Sequence, residues 1–378
     1  MKFSTKAIHT GQEPDERTGA VSVPIYQTST YAHEGIGKNK GYDYSRAENP
    51  TRFALEKNFA AIENATHAFA FSSGLSAIDA VLRTLSAGDH VIAANDMYGG
   101  TYRLFSSILT RFNMEFSFVD MTNVENITRA IKPNTKMIYT ETPSNPMMVL
   151  TDLREVAKIG NARHLLTVVD NTFATPYLQN PITLGFDAAL HSTTKYLGGH
   201  SDLIGGAVMT NNAEFAEKIK FIQYAVGAVP SPFECWLLLR SSRTLAVRMK
   251  QHCENARTVA DFLSKHKRVV KTFYPGLPSH PQRALAENQM RDFGAMVSFD
   301  TGSLERAQKM SESVHVVTFG ESLGGVESLL CHPATMTHPG VPKEIRNALG
   351  ITDGLLRLSV GIEDVEDIIA DLDRALNA

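Results

Sequence analysis

Residues 191–200 combine one lysine, Lys195, with three neighbouring hydroxyl side chains and two glycines. The apolar run from Asp187 to His191 predicts a buried strand. Lys195 would then follow a strand end, where α/β folds bind their ligands. Burial there lowers the pKa of an ammonium group, and the neutral amine is a nucleophile for carbonyl carbon. The hydroxyls of Ser192 and Thr194 are suited to bind a phosphate. The alternative is a surface lysine in a polar turn.

Three further strand ends carry groups that can do chemistry. Ser73 and Gly74 stand between a short apolar strand and a helical pattern, and a helix N-terminus with free N–H groups favours an anion. Tyr98 precedes two glycines that leave its ring exposed for stacking. Asp170 ends the most apolar strand, where a carboxylate is costly without a cationic partner. A lysine, a phosphate seat and such a carboxylate are what pyridoxal phosphate requires.

The elements that must position these groups alternate between strands and helices over residues 50–210, which predicts βαβ units and a mostly parallel seven-stranded sheet. We expect an extended N-terminal arm at residues 1–50, a cofactor-binding domain at 51–240 and a smaller α+β domain at 241–378. Within these, periodicity predicts helices over residues 102–111 and 236–263 and a strand over 314–319.

Composition excludes several functional classes. The chain has 378 residues and a formal net charge of -3, which gives no basic field for nucleic acid. No apolar run is long enough to span a membrane, and residues 1–10 do not resemble a signal peptide. The three cysteines are far apart, which predicts neither a disulfide framework nor a metal site and indicates a reducing cytoplasm.

Two arginine positions indicate anion binding. Arg46 stands beside Tyr44 in the predicted arm, and together they can hydrogen-bond an anion. Arg357 interrupts an apolar strand pattern, where an arginine needs a carboxylate partner. A solvated turn and a structural ion pair are the respective alternatives.

Taken together, these stretches resemble the Cys/Met-metabolism family of pyridoxal-phosphate enzymes, which includes the cystathionine γ-lyases, γ-synthases and β-lyases and the methionine γ-lyases. The matching segments follow the family order through nearly the whole chain, at residues 19–30, 44–52, 72–75, 96–101, 141–146, 170–173, 191–200, 321–328 and 357–361. The resemblance implies the aspartate-aminotransferase-like fold (fold type I), bound pyridoxal 5'-phosphate, and a homotetramer of two tight dimers that share active sites.

The resemblance also implies the role of each site residue. Lys195 would carry the cofactor, Asp170 would pair with the pyridine nitrogen, and Tyr98 would stack on the ring and act as an acid or base. The remaining cofactor contacts would be Ser73, Gly74, Leu75, Thr172, Ser192, Thr194 and, from the neighbouring subunit, Tyr44 and Arg46. Substrate would be bound by Arg357, Ser328, Asn145, Glu327 and Arg103.

Within the family, two positions favour a cystathionine γ-lyase of transsulfuration, which cleaves L-cystathionine to cysteine, 2-oxobutanoate and ammonia. Gly100 stands where methionine γ-lyases typically carry Cys and bacterial β-lyases carry Pro. Glu327 resembles the glutamate that meets the distal amino group of cystathionine. A γ-synthase or sulfhydrylase-type γ-replacement and a β-lyase stay open as alternatives. A cofactor-binding protein without turnover is disfavoured because no catalytic residue is missing. A dinucleotide oxidoreductase is disfavoured because the Gly-x-Gly-x-x-Gly fingerprint is absent.

Overall fold

The computed structural model describes residues 1–378 and contains two β-sheets. The larger sheet has the strand order β1-β7-β6-β5-β4-β2-β3, in which only β7 runs against the others. Its strands are β1 (His67–Phe71), β2 (His90–Ala94), β3 (Glu115–Val119), β4 (Thr135–Glu141), β5 (Leu166–Asp170), β6 (Ala188–Ser192) and β7 (Gly206–Thr210). The predicted mostly parallel seven-stranded sheet is therefore confirmed.

The smaller sheet has the order β10-β11-β12-β9-β8 and is antiparallel except between β10 and β11. Its strands are β8 (Lys271–Phe273), β9 (Met296–Asp300), β10 (Thr318–Phe319), β11 (Leu329–Cys331) and β12 (Leu355–Ser359). It lies in the C-terminal part of the chain, as the α+β pattern predicts. The domain boundaries near residues 50 and 240 stay predictions.

Fourteen α-helices surround the sheets, and none of them is long and apolar enough to cross a membrane. They are α1 (Phe3–His9), α2 (Pro50–Glu63), α3 (Gly74–Leu82), α4 (Gly99–Arg103), α5 (Val124–Ala130), α6 (Leu153–Arg163), α7 (Thr175–Leu178), α8 (Ala213–Val226), α9 (Pro232–Ser242), α10 (Leu245–Lys265), α11 (Arg283–Gln289), α12 (Leu304–Ser313), α13 (Lys343–Ala348) and α14 (Val365–Leu376).

The hydrophobic core is divided by the large sheet. Along β1, Ala68 and Ala70 belong to a cluster that includes α2, α10 and the small sheet, whereas Phe69 and Phe71 belong to a second cluster with α3, α6 and α8. Successive side chains of a strand point to opposite faces, so both faces of β1 are covered. The reactive groups are thereby left at the strand ends.

Two predicted helices are interrupted in the structure. The segment predicted as a helix over 236–263 is broken between α9 and α10, because Ser242 Oγ donates to the carbonyl of Leu239 and Thr244 Oγ1 donates to that of Ser241. Hydroxyls that bond to nearby carbonyls compete with the helical ladder. The helix predicted over 102–111 is α4 followed by a π-helical turn, Leu104–Ile108, and a 3-10 turn, Leu109–Phe112.

The predicted arm and one predicted strand also differ. Residues 3–9 of the arm are helical rather than extended, and Asn58 on α2 donates to the carbonyls of Ala7 and Thr10 to hold them. The strand predicted over 314–319 is reduced to β10. The N–H groups of residues 315–317 instead donate to the carboxylate of Asp371, so they are not available for a ladder.

Candidate active site

The carboxyl ends of β1, β4, β5 and β6 meet the small sheet around a cavity of about 240 Å³. Both sheets therefore contribute to its walls. The sequence-predicted residues that line it are Ser73, Gly74, Leu75, Tyr98, Asn145, Asp170, Thr172, Ser192, Thr194, Lys195 and Arg357. Its further polar lining residues are Glu141, Glu321, Ser322 and Thr337.

Lys195 lies in a turn beyond the end of β6, largely buried in this cavity. Its Nζ donates to Ser322 Oγ at 2.9 Å. Burial lowers the pKa of the ammonium group to about 8, the positive charge of Arg357 acts in the same direction, and Glu321 opposes the shift. The side chain can therefore be a neutral amine near neutral pH and act as a nucleophile or base.

Asp170 is the last residue of β5, and its carboxylate faces the cavity from the central region of the sheet. Thr172 donates to Oδ1 from its N–H and from its hydroxyl, which leaves Oδ2 free for a partner in the cavity. Burial raises the pKa of Asp170, whereas the Thr172 hydrogen bonds act to lower it. A cationic N–H partner in the cavity would stabilise the ionised form.

Glu141 ends the neighbouring strand β4 and pairs in register with Asp170. Burial and the charge of Asp170 raise the pKa of Glu141 well above its ordinary value. Its Oε2 accepts a hydrogen bond of 2.9 Å from the backbone N–H of Tyr98. The negative charge of Asp170 therefore disfavours a second negative charge at Glu141.

The N-terminus of α3 forms the anion seat that the sequence predicts. Ser73 caps the helix by accepting from the N–H of Ser76, while first-turn N–H groups such as those of Gly74 and Leu75 have no intrahelical acceptor. A Cβ on Gly74 would lie 2.9 Å from Cβ of Ser192, so only glycine allows α3 and β6 to approach this closely. The helix dipole, two free N–H groups and a serine hydroxyl converge here.

Tyr98 lies at the start of α4 with its ring against the backbone of Gly100. A Cβ on Gly100 would be 2.4 Å from Cε1 of Tyr98, so any side chain at position 100 would displace the ring. Burial and the charge of Glu321 raise the pKa of the Tyr98 phenol, although Arg103 and Arg357 oppose the shift. The phenol is thus protonated at neutral pH and available as a proton donor.

Arg357 projects from β12 of the small sheet and is 1% exposed. Its Nη1 donates to Oδ1 of Asn145 and its Nη2 donates to the carbonyl of Ser322, both at 2.9 Å. Its Nε is buried without a partner, and no carboxylate of the chain forms an ion pair with the guanidinium. An unpaired buried cation in a cavity is suited to bind a substrate carboxylate.

Two predicted substrate residues lie outside the cavity. Ser328 is fully buried, with its hydroxyl donating to Glu363 at 2.9 Å and accepting from the N–H of Gly361 at 2.8 Å. Glu327 accepts from the hydroxyl of Ser201. The segment 321–328 contains Glu-Ser twice, and the pair that faces the cavity is Glu321-Ser322. The expectation that Ser328 and Glu327 lie at the cavity is therefore wrong, and Ser322 and Glu321 line the cavity instead.

Three further predicted residues do not line this cavity. Arg103 is exposed on α4 and is close enough to influence the Tyr98 phenol. Tyr44 and Arg46 line a separate open cavity of about 730 Å³ beside α8. There Arg46 donates to the carbonyl of Tyr224 at 2.7 Å and stacks on its ring at 4.8 Å. Their contact with a neighbouring subunit stays a prediction.

Sequence reasoning missed Ser322, Glu141 and Thr337. Glu141 carried a usable signal, because it ends a predicted strand next to the one that ends in Asp170. Ser322 carried none that separates it from Ser328. Thr337 comes from an irregular segment that reaches the cavity only through the folding of the C-terminal part.

The chain is similar to known proteins over nearly its whole length. Residues 4–377 match the family model described as Cys/Met metabolism PLP-dependent enzyme. A cystathionine beta-lyase of Lactococcus lactis subsp. cremoris is 52% identical over 374 residues, which cover 99% of this chain and 98% of that protein. A cystathionine gamma-lyase of Bacillus subtilis is 50% identical over 376 residues, covering 100% and 99%. A cystathionine gamma-synthase of Mycobacterium bovis is 48% identical over 376 residues, covering 99% and 96%.

Among solved structures, a cystathionine gamma-lyase of Lactobacillus plantarum complexed with L-serine has a TM-score of 0.97 at 47% identity, covering 100% of this chain and 99% of the other. The fold is thus fold type I, as the resemblance implies. The site fits pyridoxal phosphate on its own geometry: a lysine of lowered pKa, a free carboxylate oxygen and an anion seat surround one cavity. The chain belongs to the family of Cys/Met-metabolism PLP-dependent enzymes.

Proposed function

We propose that the protein is a cystathionine γ-lyase, which cleaves L-cystathionine and water to cysteine, 2-oxobutanoate and ammonia. One observation supports cystathionine as the substrate in this proposal. Glu321 lines the same cavity as Arg357, is exposed, and accepts no hydrogen bond from any residue of the chain. A substrate held by its carboxylate on Arg357 and by a distal ammonium group near Glu321 must be charged at both ends, as cystathionine is.

The side chains have distinct tasks in this reaction. Arg357 and Asn145 bind and orient the α-carboxylate. Asp170 would hold the ring nitrogen of pyridoxal phosphate, which when bound would supply an acceptor for the electrons of the α-carbon. Lys195, whose neutral form is made more accessible by its lowered pKa of about 8, would take the α proton, release it and, neutral again, take a β proton. Loss of the β proton would form a double bond between the β and γ carbons as the bond from the γ carbon to sulfur breaks. The thiolate would receive a proton and leave as cysteine, and water would hydrolyse the remaining unsaturated amine to 2-oxobutanoate and ammonia.

The position of Tyr98 supports this assignment against methionine γ-lyase. Its ring fills the space that a side chain at position 100 would need. The γ-synthase and β-lyase activities are the alternatives, because relatives with these names are 48% and 52% identical to the chain. A γ-synthase would use the same cavity for γ-replacement on an activated homoserine ester.

The experiment that tests the proposal is product analysis by mass spectrometry with L-cystathionine. Cysteine with 2-oxobutanoate supports the γ-lyase. Homocysteine with pyruvate would make the protein a β-lyase. If cystathionine is not cleaved but forms from cysteine and O-acetyl- or O-succinylhomoserine, the protein is a γ-synthase.

We also propose that the active form is a cytoplasmic homotetramer in which Tyr44 and Arg46 complete the phosphate site of a neighbouring subunit. Both residues are at least partly exposed. They line a different cavity from the one that contains Lys195 of their own chain. All three cysteines are buried and unpaired, as in a reducing compartment. Mixing Arg46→Ala with Lys195→Ala subunits tests whether active sites are shared between subunits. In a hybrid oligomer one site would combine an intact Lys195 with an intact Arg46 of the neighbouring subunit, so the hybrid should regain activity that neither variant has alone.

A further inference from the structure

The irregular segment between β11 and α13 crosses from the small sheet to the loops of the large sheet. It passes close to Gly99, the residue after Tyr98. A Cβ on Gly99 would lie 2.3 Å from the carbonyl oxygen of Thr337 and 3.3 Å from Cα of His338. The two parts of the chain thus pack backbone against backbone at the rim of the active-site cavity.

His338 forms the polar contact at this crossing and is 2% exposed. Its Nε2 lies 3.1 Å from the carbonyl oxygen of Asn145 and 3.3 Å from that of Met97. Both partners are carbonyls and only accept, so Nε2 must carry the proton. Nδ1, 2.7 Å from the hydroxyl of Thr337, then accepts from it. Burial lowers the pKa of His338 to about 4, so the ring is neutral and keeps this tautomer at neutral pH.

The carbonyls of Met97 and Asn145 belong to two loops that each contribute a residue to the cavity. Met97 directly precedes Tyr98, whose ring lies in the cavity. Asn145 accepts from Arg357 through its side chain and from His338 through its backbone. One imidazole N–H therefore ties both loops of the large sheet to the segment that also supplies Thr337 to the cavity.

We propose that His338 is a positioning residue for substrate: it holds the Tyr98 turn and the Asn145 loop against the small sheet, so that Asn145 and Arg357 bind the α-carboxylate together. This inference concerns the carboxylate site of any amino-acid substrate. It therefore holds or fails independently of whether the reaction is γ-elimination, β-elimination or γ-replacement.

The chain offers a matched control in the same segment. His332 is also buried, and it also bonds through both ring nitrogens, to the hydroxyl of Thr335 at 2.8 Å and to the carbonyl of Asp353 at 2.9 Å. Both partners belong to the C-terminal part of the chain. Replacing His332 therefore disturbs a similar network without loosening the loops of Tyr98 and Asn145.

The test compares the cofactor-loaded variants His338→Asn, His338→Gln and His332→Asn. L-Alanine, an amino acid without a leaving group, is titrated and its Kd is measured from the change in cofactor absorbance; thermal unfolding is measured in parallel. The shorter side chain of His338→Asn cannot reach both carbonyls, so its Kd should rise about tenfold, the effect of losing one hydrogen bond. The longer amide of His338→Gln should restore part of this affinity.

His332→Asn should keep the wild-type Kd even where its unfolding temperature falls as far as that of His338→Asn. The proposal is overturned if His338→Asn binds L-alanine as the wild type does. It is equally overturned if His332→Asn loses as much affinity, since the effect would then follow stability and not position.

Discussion

The hydroxyl of Ser322 lies 2.9 Å from Nζ of Lys195, and the carbonyl of the same serine accepts from Nη2 of Arg357 at 2.9 Å. Ser322 thus connects Lys195, the proposed base, with Arg357, the cation suited to bind a substrate carboxylate. Ser322 has a φ of 128°, a conformation that only glycine adopts easily. Such strain is retained where the surrounding structure imposes it, commonly at functional sites.

Two replacements of Ser322 distinguish the contribution of its hydroxyl from that of its backbone conformation. Ser322→Ala and Ser322→Gly both remove the partner of Lys195, and kcat/KM should fall about tenfold in each, as for a lost hydrogen bond to a charged group. Glycine accepts the φ of 128° without strain, so Ser322→Gly should be about 1 kcal/mol more stable than Ser322→Ala in urea unfolding. Unchanged kcat/KM in either variant would show that the hydroxyl has no part in turnover.

The two glutamates of the segment 321–328 should differ in their effect on substrate recognition. Glu321→Gln removes the free charge at the cavity, and KM for L-cystathionine should rise about tenfold, the effect of losing one charge-assisted contact. A substrate without a distal amino group should be unaffected. Glu327→Gln is the control, because that side chain is bonded to Ser201 outside the cavity. An equal rise of KM in both variants would contradict the assignment of Glu321.

The pKa of Lys195 predicts how the cofactor-free protein takes up pyridoxal phosphate. The neutral amine is the attacking form, and its pKa is lowered to about 8, so the rate of incorporation should rise with pH through about 8 and level off above it. The charge of Glu321 acts to raise this pKa. The midpoint should therefore move to lower pH in Glu321→Gln. Absorbance of the bound cofactor follows the rate, and a midpoint near 10 would refute burial of the lysine.

Asp371 should stabilise the C-terminal part in a pH-dependent way. Burial acts to raise its pKa, but the N–H groups of His315, Val316 and Val317 outweigh this, and the net pKa is lowered. A lowered folded-state pKa gives stability that is present above the unfolded value of about 3.9 and is lost as pH falls through the folded value. Asp371→Asn should cost about 2 kcal/mol at pH 7. The difference from wild type should shrink below pH 4.

The control for this experiment is Asp373→Asn, because the side chain of Asp373 is 54% exposed. Its effect on the free energy of unfolding should be a few tenths of a kcal/mol. Equal losses in the two variants would mean that the N–H groups of residues 315–317 do not depend on the charge of Asp371.

The reactive residues at the strand ends could be predicted from the sequence, because the strand and helix patterns that place them are local. Asp170 follows a continuous apolar run and Ser73 separates a strand from a helix. Once the sheet is parallel, the carboxyl ends of its strands meet at one edge. Lys195, Asp170 and Gly74 therefore line one cavity as expected.

The remaining part of the site depends on how distant segments pack, which periodicity does not encode. Glu321-Ser322 and Glu327-Ser328 are identical dipeptides, and only the turn between them decides which one faces Lys195. His338 has no strand or helix pattern around it, and its partners are backbone carbonyls far away in the chain. The break between α9 and α10 likewise involves a side-chain hydrogen bond, from Thr244 Oγ1 to the carbonyl of Ser241, within a pattern that predicts a continuous helix.

The pairing of β1 with β7 has a consequence for biosynthesis. β1 is an edge strand whose only partner is β7, yet β1 is translated first and β7 emerges after every other strand of the large sheet. Until then the nascent chain presents an open apolar strand, which is a hazard for aggregation. Gly74, three residues beyond the end of β1, lies against Ser192 at the end of β6, so the two can meet only after residue 192 has been translated. The anion seat is therefore completed long after β1 has been synthesised.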